Sequence, residues 1–226
     1  MISPSRLWDL SQPVAHGGPA WPEYDPPSVL RNYRRAAEGF NAETLTLNTH
    51  TGTHVDVPFH FDEDAPAIEQ VPLSAFAAPA VFLDLRESVR AGEAIEAAQL
   101  EPLAGELQEG DIAVLVTGWG QRRGLTEEYL KRWPYLGGGG AELLLSRGVG
   151  GVGIDALSIG GFGGPERGEP SHVTLLGAGR IVIEELRVPD ALLGRRLFLS
   201  AFPVLLEGCG GAWTRAVAWE FGPGSA

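Results

Sequence analysis

A single cysteine in 226 residues, Cys209, leaves no partner for an intramolecular disulfide and fits a reducing compartment. Its expected place is that of a small buried hydrophobe. Basic residues are also scarce: 17 Lys and Arg stand against 29 Asp and Glu, a net charge of −12. Nucleic-acid affinity comes from neutralising phosphates with clustered Lys and Arg, so no nucleic-acid partner is expected. Arg34-Arg35 and Arg122-Arg123 are isolated pairs and read as solvated surface or single anion contacts. No apolar run approaches the roughly 18 residues that a membrane-spanning helix needs without meeting Gly, Pro or charge. Residues 1–10 carry neither a basic run nor an apolar core, so they do not read as a signal peptide. The expected location is the cytoplasm.

What the chain has in quantity is punctuation: 31 glycines and 17 prolines cut it into short elements. With 44 % apolar and 20 % charged residues it has the balance of a globular protein, long enough to bury a core without staples. Residues 5–11 alternate weakly, as an opening strand would. Residues 16–30 are too rich in Pro and Gly for regular structure and predict a surface loop. Strict Thr/Leu alternation over 43–49 predicts a half-buried strand. Short apolar runs at 80–85, 111–117, 149–154 and 180–186 predict buried strands, and 197–206 and 212–220 two more near the C-terminus. Helices are expected over 93–107, from Thr126 through 132, over 141–147 closed by Gly148, and for a capped turn from Pro170-Ser171 to about 177–179. Strands outnumber helices and no linker divides the chain. The expected fold is one α/β domain, residues 1–226, with a mixed β-sheet and no regular βα alternation.

Three of the five histidines fall within residues 50–60, in His50-Thr51-Gly52-Thr53-His54-Val55-Asp56-Val57-Pro58-Phe59-His60. Imidazole and carboxylate at this density point to a transition metal, whose ligand atoms must lie within roughly 2.0–2.2 Å of the ion. On an extended strand, side chains at i and i+2 share a face about 6.6 Å apart at Cα, so His54 and Asp56 can grip one ion. His50 would stand about 13 Å off on a straight chain. Thr51-Gly52-Thr53 must therefore bend, and glycine at its centre permits that. Pro58 ends the strand and swings His60 off the coordination sphere while keeping it near, the position of a general acid/base. Further ligands must come from elsewhere. His16 sits in a Gly/Pro loop and reads as surface, whereas His172, Asp84, Asp155 and Glu184 are candidates; spacing does not choose between Glu184 and Glu185.

The run His50-x-Gly52-Thr53-His54-x-Asp56-x-Pro58-x-His60-Phe61 resembles the signature of the cyclase-like metal-dependent hydrolases, which include the bacterial kynurenine formamidases (arylformamidases) and the isatin hydrolases. The resemblance extends over most of the chain. Leu7-Trp8-Asp9-Leu10-Ser11 looks like the family's opening strand and Gly110-Asp111 through Thr117-Gly118-Trp119 like a central one. Gly153-Ile154-Asp155 is similar to the segment before the second ligand region, and Arg215-Ala216-Val217-Ala218 to the closing strand. It implies a swivelling β/β/α domain, a homo-oligomer (dimer or tetramer), and two divalent ions, zinc or manganese. His50, His54 and Asp56 would hold one ion. Asp56 would also reach a second, with His172 and a glutamate twelve positions on, Glu184, touching both. His60 would move the proton, and Trp21 would line an aryl pocket. The implied substrates are aryl formamides, N-formyl-L-kynurenine foremost, or cyclic amides such as isatin. The Gly-rich segment 155–171 departs from the formamidase pattern just before His172.

Two readings from other classes compete. His54-x-Asp56 with a distant His172 mimics the facial triad of a non-haem Fe(II) oxygenase, with Arg180 free to bind a co-substrate carboxylate. A catalytically silent metal-binding protein is the other. The glycines of 148–153 match G-x-G-x-x-G but precede Asp155 inside a predicted strand instead of opening a helix, and Gly137–Gly140 lacks the Lys-Ser/Thr of a phosphate loop. Both read as turns or tight packing, and Trp119, Trp133 and Trp213 as core or interface residues.

Overall fold

The short apolar runs fold as strands, and the Ala/Leu-rich stretches between them as helices. The computed structural model describes residues 4–31 and 39–222; Arg34 and Arg35 lie outside them. In chain order the strands are β1 (Pro4–Asp9), β2 (Ser28–Arg31), β3 (Glu43–Thr46), β4 (His54–Asp56), β5 (Ala77–Asp84), β6 (Ala94–Ile95), β7 (Ile112–Val116), β8 (Tyr135–Leu136), β9 (Gly151–Ile154), β10 (Ile181–Glu184), β11 (Arg196–Ser200), β12 (Gly211–Trp213) and β13 (Val217–Phe221). The α-helices among the described residues are α1 (Ala97–Ala104), α2 (Glu127–Lys131), α3 (Gly138–Ser146) and α4 (Pro165–Gly177). None is long and apolar enough to cross a membrane.

Nine strands form one sheet in the order β1-β13-β11-β5-β7-β9-β10-β4-β12. The central four, β5-β7-β9-β10, are parallel, since helices carry the chain back between them. Antiparallel arms extend both edges: β11, β13 and β1 beyond β5, and β4 and β12 beyond β10. Alternation then sorts the core into two layers. Val81, Leu83, Ala113, Leu115, Val152 and Val182 face the helices and pack with Leu100, Leu144, Leu175 and Trp133. Ala80, Phe82, Ile112, Val114, Ile181 and Ile183 face the other way and pack with Leu10, Val55, Leu199 and Ala218 from the two arms. The sheet is thus curled around its second layer. The chain leaving β1 meets the chain leaving β10 where Arg187 N–H donates to the Leu10 carbonyl at 2.7 Å and Ser11 bridges to Leu186. Each fully buried side chain such as Phe82 or Leu115 contributes roughly 1.5–3 kcal/mol. The expected mixed-sheet α/β domain is the observed one.

Several local expectations are corrected. The Thr/Leu alternation yields only the four residues of β3, paired with β2 in a separate ribbon, and all four are exposed, Leu45 by 56 %. Alternation requires two faces; it does not supply a partner for either. The ribbon also takes in the end of the loop predicted over 16–30. Helix α3 starts three residues early, inside the glycine run, because those glycines are packing positions. A Cβ on Gly140 would stand 2.7 Å from Leu136 Cδ1 and 3.2 Å from Leu100 Cδ1. Helix α4 begins at Pro165, its pre-set first-turn residue, and carries Pro170 in its interior, where a cap was expected. The stretch 212–220 divides at Thr214–Ala216, sending β12 to one edge of the sheet and β13 toward the other. Thr126 does cap α2, its hydroxyl accepting from Tyr129 N–H at 3.2 Å. Cys209 is half-buried, short of the buried position expected of it.

Candidate metal centre

Strand β4 lies between β10 and β12, so its side chains share a layer with those of two neighbours from remote parts of the chain. Period 2 turns His54 and Asp56 to one face and Val55 into the apolar layer. Register puts Glu184 directly across from His54, and Gly211 across from Asp56. The bend that His50 requires occurs at Gly52, whose φ of 73° lies in the left-handed region. It is pinned by Thr53, whose hydroxyl donates to the Glu185 carbonyl at 2.6 Å and accepts from Gln12 N–H at 2.8 Å. His172 arrives from α4.

The five side chains converge. His50 Nδ1 is 2.7 Å from Asp56 Oδ1, and His54 Nε2 is 3.2 Å from the same oxygen and 3.4 Å from Glu184 Oε2. His172 Nε2 lies 3.2 Å from Glu184 Oε1 and 3.8 Å from Asp56 Oδ2. Behind them, His54 Nδ1 lies 2.7 Å from the Gly52 carbonyl and His172 Nδ1 2.7 Å from that of Gly168. A carbonyl only accepts, so each Nδ1 carries the proton and each Nε2 is left to face the centre. Ser158 Oγ–H and Ile159 N–H donate to Glu184 Oε1, at 2.9 and 2.6 Å. Glu185 turns away. Its φ of 51°, the sole positive value at a non-glycine among the described residues, sends its carboxylate to Arg123, 3.0 Å off.

Two buried carboxylates this close need compensating positive charge. Burial alone would raise the Asp56 carboxyl, but His54 and His50 hold it well below its usual range. Burial likewise disfavours charge on His54, yet Asp56 and Glu184 raise its imidazole well above the ordinary value. Glu184, which burial and Asp56 push upward, is drawn down by His172 and His54. His54 Nε2 and Asp56 Oδ2 nonetheless lack hydrogen-bond partners although both are buried. Donor atoms of His54, Asp56 and Glu184 lie within 4.8 Å of one another, as do those of His50, Asp56 and His60. Nitrogen and carboxylate donors sharing one aspartate are a set that suits zinc or a similar divalent ion. A Cβ on Gly211 would stand 2.8 Å from His50 Nδ1 and 3.0 Å from Asp56 Oδ1. Gly211→Ala is therefore expected to weaken zinc affinity roughly 10–100-fold, the usual cost of disturbing ligand orientation. Competitive metal titration of the folded variant checks this, and unchanged affinity would show that the cradle is not needed.

His60 sits nearer the ligand atoms than the strand-breaking argument implied. Pro58–His60 forms a 3-10 turn that folds the imidazole back, stacked on His50 with centroids 4.0 Å apart. Burial pushes its pKa down to about 4, Asp56 opposing and His50 adding to the effect, so the ring is neutral at pH 7. It lines a cavity of about 510 Å³ together with His50, His172 and Glu184. Trp21, Tyr24, Phe61 and Phe162 also line it. Trp21 stands edge-on to Trp133 and Phe162 at 5.5 and 5.6 Å, and Phe61 stacks on His172 at 4.7 Å. Leu157, Ser158 and Gly161–Pro165 of the Gly-rich segment form another wall. Tyr24 escaped the sequence reading; Phe61 stood in the motif beside His60, and Ser158 and Phe162 in the segment 155–171 singled out before His172, though none of the three was named as a site residue.

Other candidates lie elsewhere. His16 is exposed and accepts from Val29 N–H at 3.3 Å. Asp84 pairs with Arg86 at 2.8 Å. Asp155 is buried, raised by that burial, and accepts from the Thr117 and Gly118 amides at 2.8 Å each. Trp119 and Trp133 are core residues.

Comparison with known proteins adds four findings. The Cyclase family model matches residues 8–160. A kynurenine formamidase of Bacillus cereus is 29 % identical over 94 % of this chain and 97 % of its own. Among solved structures, isatin hydrolase A from Labrenzia aggregata superposes with a TM-score of 0.85 at 21 % identity, over 96 % of this chain and 94 % of its own. A structure described as a potential metal-dependent hydrolase with cyclase activity gives 0.79 at 28 % identity, over 96 % and 99 %.

Proposed function

The chain belongs to the Cyclase family, and from that premise we propose that residues 1–226 act as one metal-dependent hydrolase of aryl amide C–N bonds. The observation that carries this reading is the convergence of His50, His54, Asp56, His172 and Glu184 beneath an aromatic-walled cavity that also holds His60. In this reading those five residues would hold two divalent ions, zinc or manganese, with Asp56 and Glu184 contributing to both. Such ions supply Lewis acidity toward an amide carbonyl and acidify water at neutral pH. His60, neutral and beside the ligands, takes up the proton released on attack and hands it to the departing aryl nitrogen. Trp21 and Phe162 stack against the aryl group. Relatives named kynurenine formamidase support N-formyl-L-kynurenine as substrate, cleaved to L-kynurenine and formate. A cyclic amide such as isatin offers the same carbonyl to the same groups. The family resemblance further supports a homo-oligomer, dimer or tetramer.

An Fe(II) oxygenase triad would use two histidines and one carboxylate and leave His50 and Glu184 without a role. Metal analysis with hydrolysis of N-formylkynurenine and isatin tests the proposal. Zinc or manganese added to chelator-treated protein at about 100 times Kd should add about 2.7 kcal/mol, raising Tm by roughly 5–10 °C. No thermal shift and no hydrolysis with either ion would overturn the reading.

A further inference from the structure

The adjacent arginines Arg122 and Arg123 stand at the end of the 3-10 turn Trp119–Arg122 and part there. Arg122 leaves 57 % of its side chain exposed and pairs with Glu128. Arg123 turns inward, 11 % exposed, and donates to Glu185 Oε2 from Nη2 at 3.0 Å and from Nε at 3.3 Å. Among the described residues, both hydrogen bonds to that carboxylate come from Arg123, and Glu185 Oε1 is buried without a partner.

Strand alternation would send the Glu185 side chain into the layer of Ile181 and Ile183, where a carboxylate is costly to bury. The left-handed turn at φ 51° takes it out of that layer, and Leu186 packs there instead. Such a turn is unfavourable for any residue with a Cβ, so it needs support. The Glu185 amide donates to the Ala156 carbonyl at 2.9 Å, two residues before Ser158, itself a donor to Glu184. The Glu185 carbonyl accepts from Thr53 at 2.6 Å, inside the bend that His50 requires. One residue thus joins the Glu184 end of the centre to the His50 end.

On the premise that Glu184 is a metal ligand, we infer that Arg123 is a positioning residue: by fixing the Glu185 carboxylate it holds the turn that aims Glu184 at the metal centre. Without the guanidinium, that carboxylate is buried and unpaired, a costly state. Relieving it by rotating the turn would carry Glu184 and the Thr53 contact along.

Zinc affinity, measured by competitive titration of the folded full chain, tests this without recourse to turnover. Arg123→Ala should weaken binding about 10–100-fold, the usual cost of disturbing a ligand's support. Arg123→Lys should recover part of the loss, since lysine keeps the charge but not the planar fork. The diagnostic variant combines Arg123→Ala with Glu185→Gly. Glycine adopts φ 51° freely and has no carboxylate to bury, so affinity should return close to the native value. Packing lost around Arg123 would not be repaired in this way, and the double variant decides the matter even where Arg123→Ala alone does not fold. Native affinity in Arg123→Ala overturns the inference while the hydrolase reading stands. So does a double variant that does not fold or stays at least about tenfold below native affinity. A native chain that binds neither zinc nor manganese overturns both.

Discussion

A metal-free protein with turnover at background is the expected result of replacing Asp56 by alanine. Asp56 is fully buried, and imidazole nitrogens of His50, His54 and His172 all come within 4 Å of its carboxylate. No other residue touches so many of the proposed ligands. Its loss removes the oxygen shared by both donor groups and leaves buried imidazoles without the anion that holds them in place. The charge stabilisation a metal provides to a transition state is worth several kcal/mol, so kcat/KM should fall by at least about 10³-fold. The variant should still fold, since β4 keeps its ladders to β10 and β12 and Val55 stays in the apolar layer. Elemental analysis after dialysis, with circular dichroism to verify folding, decides it. Retention of a full metal complement would mean that Asp56 is not a ligand.

Replacing His60 by alanine should have the opposite signature: metal kept, turnover lost. General acid–base catalysis by a positioned side chain is worth about 10²–10⁴-fold, and kcat should fall by that much while the ion content of the protein holds. The stacked placement of His60 on His50, with a donor atom within 4.8 Å of those of His50 and Asp56, makes this a sharp experiment. A variant that loses one equivalent of metal would reassign His60 as a ligand. One with near-native turnover would remove it from the chemistry. His60→Gln, which keeps most of the bulk against Gly210, guards against an effect of lost packing alone.

Legibility from sequence followed the range of the interactions involved. The proposed ligands within residues 50–56 are close in the chain, and strand geometry alone demanded the bend that Gly52 makes. His172 and Glu184 lie far off, and only family resemblance singled out Glu184. Spacing could not separate it from Glu185, because the choice is made by one backbone angle at the end of β10. The proline before His60 correctly marked the end of the strand. It could not reveal the 3-10 turn that brings the ring back over His50. The buried strands were legible as apolar runs; at β3 the strand was legible too, but not its full exposure, since its alternation answers to no apolar layer. The glycines of α3 could be read as turns or as tight packing, and only the packed state, where Gly140 approaches Leu136 and Leu100, decides between them. Aromatic residues of the cavity wall likewise share no local pattern; Trp21, Phe61 and Phe162 meet only when three loops are assembled.

The position of β4 has a consequence for biosynthesis. Neither of its flanking strands, β10 and β12, is made until more than half of the polypeptide has followed it out of the ribosome. Pairings this distant in sequence are slow and come late. The imidazoles at 50 and 54 must therefore wait, unclaimed, while the helix-wrapped parallel strands consolidate. Cation capture is then a closing event of maturation, and a nascent chain halted before residue 211 would carry the leading donors without a place to use them.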